Sequence, residues 1–449
     1  MKQPVFFRRL FGANADAPAN APTRGAVRDA RRAISLCHAL MSERGEVSGA
    51  RLAHEALAAY QTLEGPAAAA FFDLLVDEFS PDPEAVERFA DAYRREPSQA
   101  NLILLQHAVE PPRQELFRRL NMAHGGTGLL VEMRRQVLRD LGTNPQWRGI
   151  EADLAHLLRS WFNRGFLALE RIDWRTSALV LEKLIEYEAV HQIEGWHDLR
   201  RRLAADRRCY AFFHPALPDE PLIFIEVALT RGMSARVQPL LDPESPVKDP
   251  ASANCAMFYS ITNCQQGLRG VSFGNFLIKQ VVEDLGRELP RLKLFATLSP
   301  VPGFRAWLAS LAQAPDGIGV HADVGALLAE LESPSWFDDT ALSSSLQQRL
   351  APLCAHYLLH AKQDQEPADA VARFHLVNGA RLERLNWLGD TSATGIRQSA
   401  GMMVNYVYHV ASVDRNHEAY ARDRTIVASR AFQSLAKESL RARASPDRR

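Results

Sequence analysis

The stretch Gln265-Gln-Gly-Leu-Arg-Gly-Val-Ser-Phe-Gly-Asn275 sits between an apolar run, Asn254–Cys264, and a helical pattern, Phe276–Arg287. A glycine-rich turn feeding a helix presents free backbone N–H groups and a positive dipole end, which is what a pyrophosphate requires. The same residues spell Gly270-Val-Ser-Phe-Gly274, the Gly-x-Ser-x-Gly nucleophile elbow, in which Ser272 would attack a carbonyl. Against the elbow, no His-Gly-Gly oxyanion signature precedes the loop, and few strand candidates come before it. A third reading is a tight turn chosen for helix–strand packing.

Two further residues carry groups suited to proton transfer. Ser299 lies in Phe295-Ala-Thr-Leu-Ser-Pro-Val-Pro-Gly-Phe304 and His375 in Arg373-Phe-His-Leu-Val-Asn-Gly-Ala-Arg-Leu382. Read alone, Ser299 is a turn or N-cap serine for the helix holding Trp307 and Leu308. His375 reads as a strand residue ahead of an Asn378-Gly379 turn. His356 and His360 have ligand spacing on a helix, but the intervening Tyr-Leu-Leu lacks a metalloprotease glutamate and no third ligand is evident, so no metal is assigned. His214 falls at a strand end, and Tyr406 and Tyr408 read as core or pocket wall.

These groups need a frame. From Val27 to Ala204, apolar residues recur at three- and four-residue spacings, which predicts helices. One begins at Ser80-Pro-Asp-Pro-Glu84, where a capping side chain, early prolines and acidic residues suit the positive helix end, and it stops at Glu96-Pro97. The character changes near Cys209, where Cys209–Pro215 and Pro221–Leu229 are aromatic and β-branched. The second run is apolar on both faces and suits a central strand. Leu294–Leu298 is another strand, and Phe273, Leu277, Val281 and Leu285 share one helix face. The class is α+β: a disordered tail over residues 1–26, an all-helical domain over 27–160, and a mixed α/β domain over 161–449.

The loop Arg269-Gly-Val-Ser-Phe-Gly274 is similar to the Arg/Gln-x-x-Gly-x-Gly/Ala pattern with which GNAT-type acyltransferases hold coenzyme A, with Ser272 replacing the first glycine. From about Leu157 to Tyr420 the chain resembles the malonyl-CoA decarboxylase family. The carrying segments are Cys209–Leu229, Val237–Asp242, Phe258–Gln280, the two around Ser299 and His375, Asn386-Trp387 and Gln398–Tyr406. The resemblance implies a helical assembly domain ahead of a GNAT-like catalytic domain, and conversion of malonyl-CoA to acetyl-CoA and carbon dioxide. It implies Ser299 and His375 as the catalytic pair, and a coenzyme loop of Arg269, Gly270, Val271, Ser272, Phe273, Gly274 and Asn275. Asn405 and Tyr406, in a family-like segment, could approach the acyl group. It also implies a homotetramer and no cofactor beyond the coenzyme A of the substrate.

Loss of carbon dioxide leaves an enolate that needs stabilising and then a proton, so Ser299 is expected to hydrogen-bond the carboxylate or relay a proton, and His375 to act as general acid. The alternatives are a CoA-dependent acyltransferase, which needs an acceptor, and a malonyl-CoA sensor, which leaves its ligand intact.

Bulk composition narrows the partners. Basic and acidic residues balance at 53 each, which argues against nucleic acid or an anionic membrane and requires any anion to be held locally. The five cysteines form no Cys-x-x-Cys pair, as expected of reduced thiols in a cytoplasm. No apolar run approaches the roughly 20 residues of a membrane span.

Overall fold

A computed structural model of the chain describes residues 24–42, 46–271, 277–313, 324–333 and 335–441. The chain divides into two compact units: Met1–Trp161 with Gln266–Val271, and Phe162–Gln265 with Ser272–Arg449. No described helix is long and apolar enough to cross a membrane.

The first unit is helical. Its opening helix spans Arg24–Ser42, so residues 24–26, expected in the tail, are already wound; residues 1–23 lie outside the described residues. The helix Pro83–Arg95 is capped by Asp82, whose side chain accepts from the Glu84 N–H, while Pro83 fills a position whose own N–H would have no partner. Pro97 disfavours helical backbone at Glu96, which is extended (φ −136°, ψ 96°), and the next helix, Gln99–Val109, restarts on Ser98. This pair stands apart from the unit's core: neither helix has a buried residue, and Ile103, Leu104 and Val109 are exposed.

The second unit is built on an eight-stranded mixed sheet. Its strands are β1 (Ala168–Ile172), β2 (Arg207–Phe213), β3 (Ile223–Thr230), β4 (Cys255–Asn263), β5 (Leu294–Thr297), β6 (Ser299–Pro300), β9 (Arg381–Asn386) and β10 (Met403–Val407). The short β7 (Lys362–Gln363) and β8 (Glu366–Pro367) form a separate hairpin. Spatial order is β1-β2-β3-β4-β5-β10-β6, with β9 on β10. The first strand therefore precedes Cys209, inside the stretch expected to be helical. Only its last residue, Ile172, is buried, so β1 lacks the apolar run that marks β2 and β3. β4 and β5 pair in parallel, which requires a crossover, and the glycine-rich loop and the helix Leu277–Glu288 lie within it. That helix buries Leu277, Ile278, Val281, Val282 and Leu285. The expected helical domain followed by a mixed α/β domain is the observed architecture.

Every residue of β3 is buried, as expected of a central strand, including Glu226 in its middle. Its carboxylate meets the buried Arg202 guanidinium at 2.8 Å, and burial raises the Glu226 carboxyl above the usual range.

Candidate functional site

His375 sits on a helix, Ala370–Val377, and not on the strand expected for that segment. Asp369 caps this helix by accepting from the N–H groups of Val371 and Ala372 at 3.0 and 2.9 Å. Ala372, His375 and Leu376, spaced as one helical face, are its buried residues. The helix ends at Gly379, which has φ +78° and whose added Cβ would meet the Val413 carbonyl at 2.1 Å. The Ala380 N–H then bonds the His375 carbonyl at 3.1 Å, fixing the backbone behind the imidazole.

Ser299 likewise occupies an element other than the expected turn or cap. It opens β6 and pairs with Val404 of β10, one residue after β5 breaks at Leu298. Pro300 is tolerated at this two-residue edge strand, and the next helix starts only at Phe304.

The two side chains meet although 76 residues separate them: Ser299 Oγ lies 2.9 Å from His375 Nε2. Ser299 also donates to Thr297 Oγ1 at 2.8 Å, and His375 Nδ1 lies 2.8 Å from the Tyr408 hydroxyl. Thr297 Oγ1 accepts from the Tyr406 N–H, and the Tyr406 ring stacks on the imidazole at 4.4 Å. Ser299 and His375 are 5% and 2% exposed. Burial holds the His375 imidazole down at about 3 and pushes the Tyr408 phenol well above its usual range, so both are neutral near pH 7.

A neutral imidazole allows the chain two senses. With the Ser299 hydrogen on Thr297, Nε2–H donates to Ser299 and Nδ1 accepts from the Tyr408 O–H. Reversing all the links satisfies the same atoms and moves one proton along each step. The four residues Thr297, Ser299, His375 and Tyr408 thus form a hydroxyl–hydroxyl–imidazole–phenol line able to relay a proton. Thr297 could have been suspected, because it stands two residues before Ser299 and shares its face of an extended chain. Tyr408 carries no local signal of its own.

Other expected participants are placed differently. Asn405 is fully buried, and all its hydrogen-bonding capacity is taken: Oδ1 accepts from Arg384 and Asn386, and Nδ2 donates to the carbonyls of Thr297 and Ser234. It braces the strands and has no free atom for an acyl group. His214 follows the end of β2 and accepts from the Ala216 N–H. The His356 and His360 rings lie 4.9 Å apart, and no cluster of three or more metal-ligating side chains occurs among the described residues.

Of the coenzyme loop, Arg269 and Gly270 are exposed and Val271 is buried. Gly270 has φ +76°, a left-handed backbone that favours glycine, and nothing crowds the place where a Cβ would stand. Ser272, Phe273, Gly274 and Asn275 lie outside the described residues.

A mixed α/β unit with a buried, hydrogen-bonded line of hydroxyl, imidazole and phenol groups where β5 breaks has the make-up of an enzyme. Residues 165–446 match the family described as the malonyl-CoA decarboxylase C-terminal domain, and residues 79–162 the corresponding N-terminal domain. The mitochondrial malonyl-CoA decarboxylase of Anser anser anser is 37% identical over 403 residues, 82% of this chain and 80% of that protein. That of Rattus norvegicus is 37% identical over 74% of this chain and 72% of its own. Among solved structures, the malonyl-CoA decarboxylase of Rhodopseudomonas palustris superposes with a TM-score of 0.87 at 50% identity, over 90% of this chain and 99% of that one. The Agrobacterium vitis malonyl-CoA decarboxylase gives 0.84 at 48%, with the same coverage. The chain belongs to the malonyl-CoA decarboxylase family.

Proposed function

We propose that this chain converts malonyl-CoA to acetyl-CoA and carbon dioxide with Ser299 and His375 acting at the malonyl group. The observation that carries the reading is the 2.9 Å contact between the buried side chains of Ser299 (Oγ) and His375 (Nε2). Cleavage of the bond between the α-carbon and the carboxylate releases carbon dioxide and leaves its electron pair as a thioester enolate. One proton delivered to the α-carbon completes acetyl-CoA, so each turnover consumes one proton. A buried neutral site favours turning a carboxylate into neutral carbon dioxide, and a fixed hydroxyl offers the developing charge a hydrogen bond.

The pair divides the work by position. Ser299, between Thr297 and the imidazole, is the group to touch the malonyl carboxylate or hand over the proton. His375, neutral in the empty site, is more readily protonated when the substrate carboxylate arrives, because a nearby negative charge favours imidazolium, and it then holds the proton that the α-carbon needs. The coenzyme A moiety is held by Arg269, Gly270, Val271, Ser272, Phe273, Gly274 and Asn275. The left-handed Gly270 supports that assignment. The carbon–carbon cleavage transfers no electrons to an acceptor, so no cofactor beyond the substrate's own coenzyme A is needed.

The proposal extends to a homotetramer in a cytoplasm. Assembly is supported by the Pro83–Val109 hairpin, which buries none of its own residues and exposes Ile103, Leu104 and Val109. A reducing compartment is supported by five buried cysteines that are all free.

The test supplies purified protein with malonyl-CoA and no acyl acceptor. Equal amounts of carbon dioxide and acetyl-CoA are expected, with one deuteron in the acetyl group when the reaction runs in deuterium oxide. Release of free coenzyme A, or binding without turnover, would overturn the decarboxylase reading in favour of a hydrolase or a sensor.

A further inference from the structure

A cavity of about 970 Å³ opens where β3 ends and β4 begins, lined in part by Arg201, Asp206, Arg207, Arg231, Arg236 and Lys248. Its lining holds five cationic side chains against two carboxylates, those of Asp206 and Asp249, in a chain whose formal net charge is zero. Two of the cations are buried. Arg201 and Arg207 are 6% and 5% exposed, and both guanidinium groups lean on the single Asp206 carboxylate, at 2.7 and 3.0 Å. The Nε–H of each has no acceptor among the described residues. One carboxylate cannot balance two buried guanidinium groups, and uncompensated buried charge is costly. Arg231, Arg236 and Lys248 are exposed and form no ion pair among the described residues.

We propose that this cavity is a binding site for a small multiply charged anion, of polyphosphate or polycarboxylate chemistry, separate from the coenzyme loop. The cavity has ample room for such a ligand, and guanidinium groups give paired N–H donors that match carboxylate and phosphate oxygens. The Arg231–Arg236 loop on its rim is also tied to the candidate catalytic line. The Ser234 carbonyl accepts from Asn405 Nδ2 at 3.2 Å, and the same Nδ2 donates at 2.7 Å to the carbonyl of Thr297, whose hydroxyl accepts from Ser299. An anion that reorders this loop acts on turnover through that brace.

Calorimetry on the full chain with inorganic pyrophosphate, and separately with citrate, tests the site without relying on decarboxylation. At least one probe is expected to bind, and to remain bound under saturating coenzyme A. The triple variant Arg231→Gln, Arg236→Gln, Lys248→Gln removes only exposed, unpaired charges, so its fold is safe. It should weaken the probe at least tenfold and leave coenzyme A affinity unchanged. A preference for one probe identifies the ligand chemistry. Absence of binding by both, displacement by coenzyme A, or equal affinity in the triple variant would overturn the proposal.

Discussion

The Tyr408 hydroxyl approaches His375 Nδ1 at 2.8 Å, while Ser299 holds Nε2 at 2.9 Å, so both imidazole nitrogens are engaged by neutral hydroxyl groups. Among the described residues no carboxylate hydrogen-bonds this histidine. The hydroxyl proton of Tyr408, kept in place by burial, therefore decides which nitrogen carries hydrogen.

Tyr408→Phe removes that bias and leaves a buried ring nitrogen unpartnered. We expect kcat to fall by about 10- to 100-fold, roughly 1.4 to 2.8 kcal/mol of barrier, with KM little changed. The pH profile of kcat should shift as well, which a purely structural role would not produce. Wild-type kcat and profile in the folded variant would remove Tyr408 from the proton line.

Ser299→Ala and His375→Asn should each lose about 10²- to 10⁴-fold in turnover while coenzyme A affinity stays near wild type. Because their side chains share one hydrogen bond, the double variant should lose far less than the product of the single losses. Multiplicative losses would mean that the two act independently.

How much of this could be read from residues alone depended on the range over which each signal acts. Asp82, Pro83 and Pro97 act within one turn, and the helix they bound was legible. β3 announced itself by a run that is apolar but for Glu226. Phe374-His-Leu-Val, short and apolar, reads as a strand although it lies in a helix. The deciding signal lay upstream in the Asp369 cap and the helix-favouring Ala370 and Ala372. The pairing of Ser299 with His375 came from motif resemblance. Its geometry arises only when β10 aligns with β6 and brings Tyr406 and Tyr408 under the histidine helix, a long-range event with no local trace. The bracing role of Asn405 was hidden for the same reason: its partners come from three distant segments, β9, the loop at Ser234 and the end of β5.

The exposed hairpin makes a prediction about assembly. Ile103 and Leu104 are 43% and 44% exposed, so Ile103→Glu with Leu104→Glu should hardly affect the fold of one chain. If this face is covered by another copy, two buried like charges should split the assembly, read as a drop in mass by light scattering at unchanged helical circular dichroism. An unchanged mass would assign the contact elsewhere.

The last prediction concerns acid stability. Burial lowers the His375 pKa from 6.5 to about 3, whereas in the unfolded chain the imidazole regains its ordinary value. Between those two values the unfolded chain binds a proton that the folded chain refuses. Stability must therefore rise with pH across that window, and be lost as pH falls from 6.5 towards 3. Above 6.5 both states are neutral at this residue and it adds no slope. A shift of this size corresponds to a few kcal/mol, roughly 1.4 kcal/mol per pH unit once well inside the window. His375→Asn cannot titrate, so its urea-unfolding free energy should fall less steeply between pH 6 and pH 4 than the wild-type value, whatever the two values are at pH 7. Parallel acid limbs would show that the imidazole already accepts a proton in the folded chain. The relay would then begin from imidazolium, with His375 poised as an acid before substrate arrives.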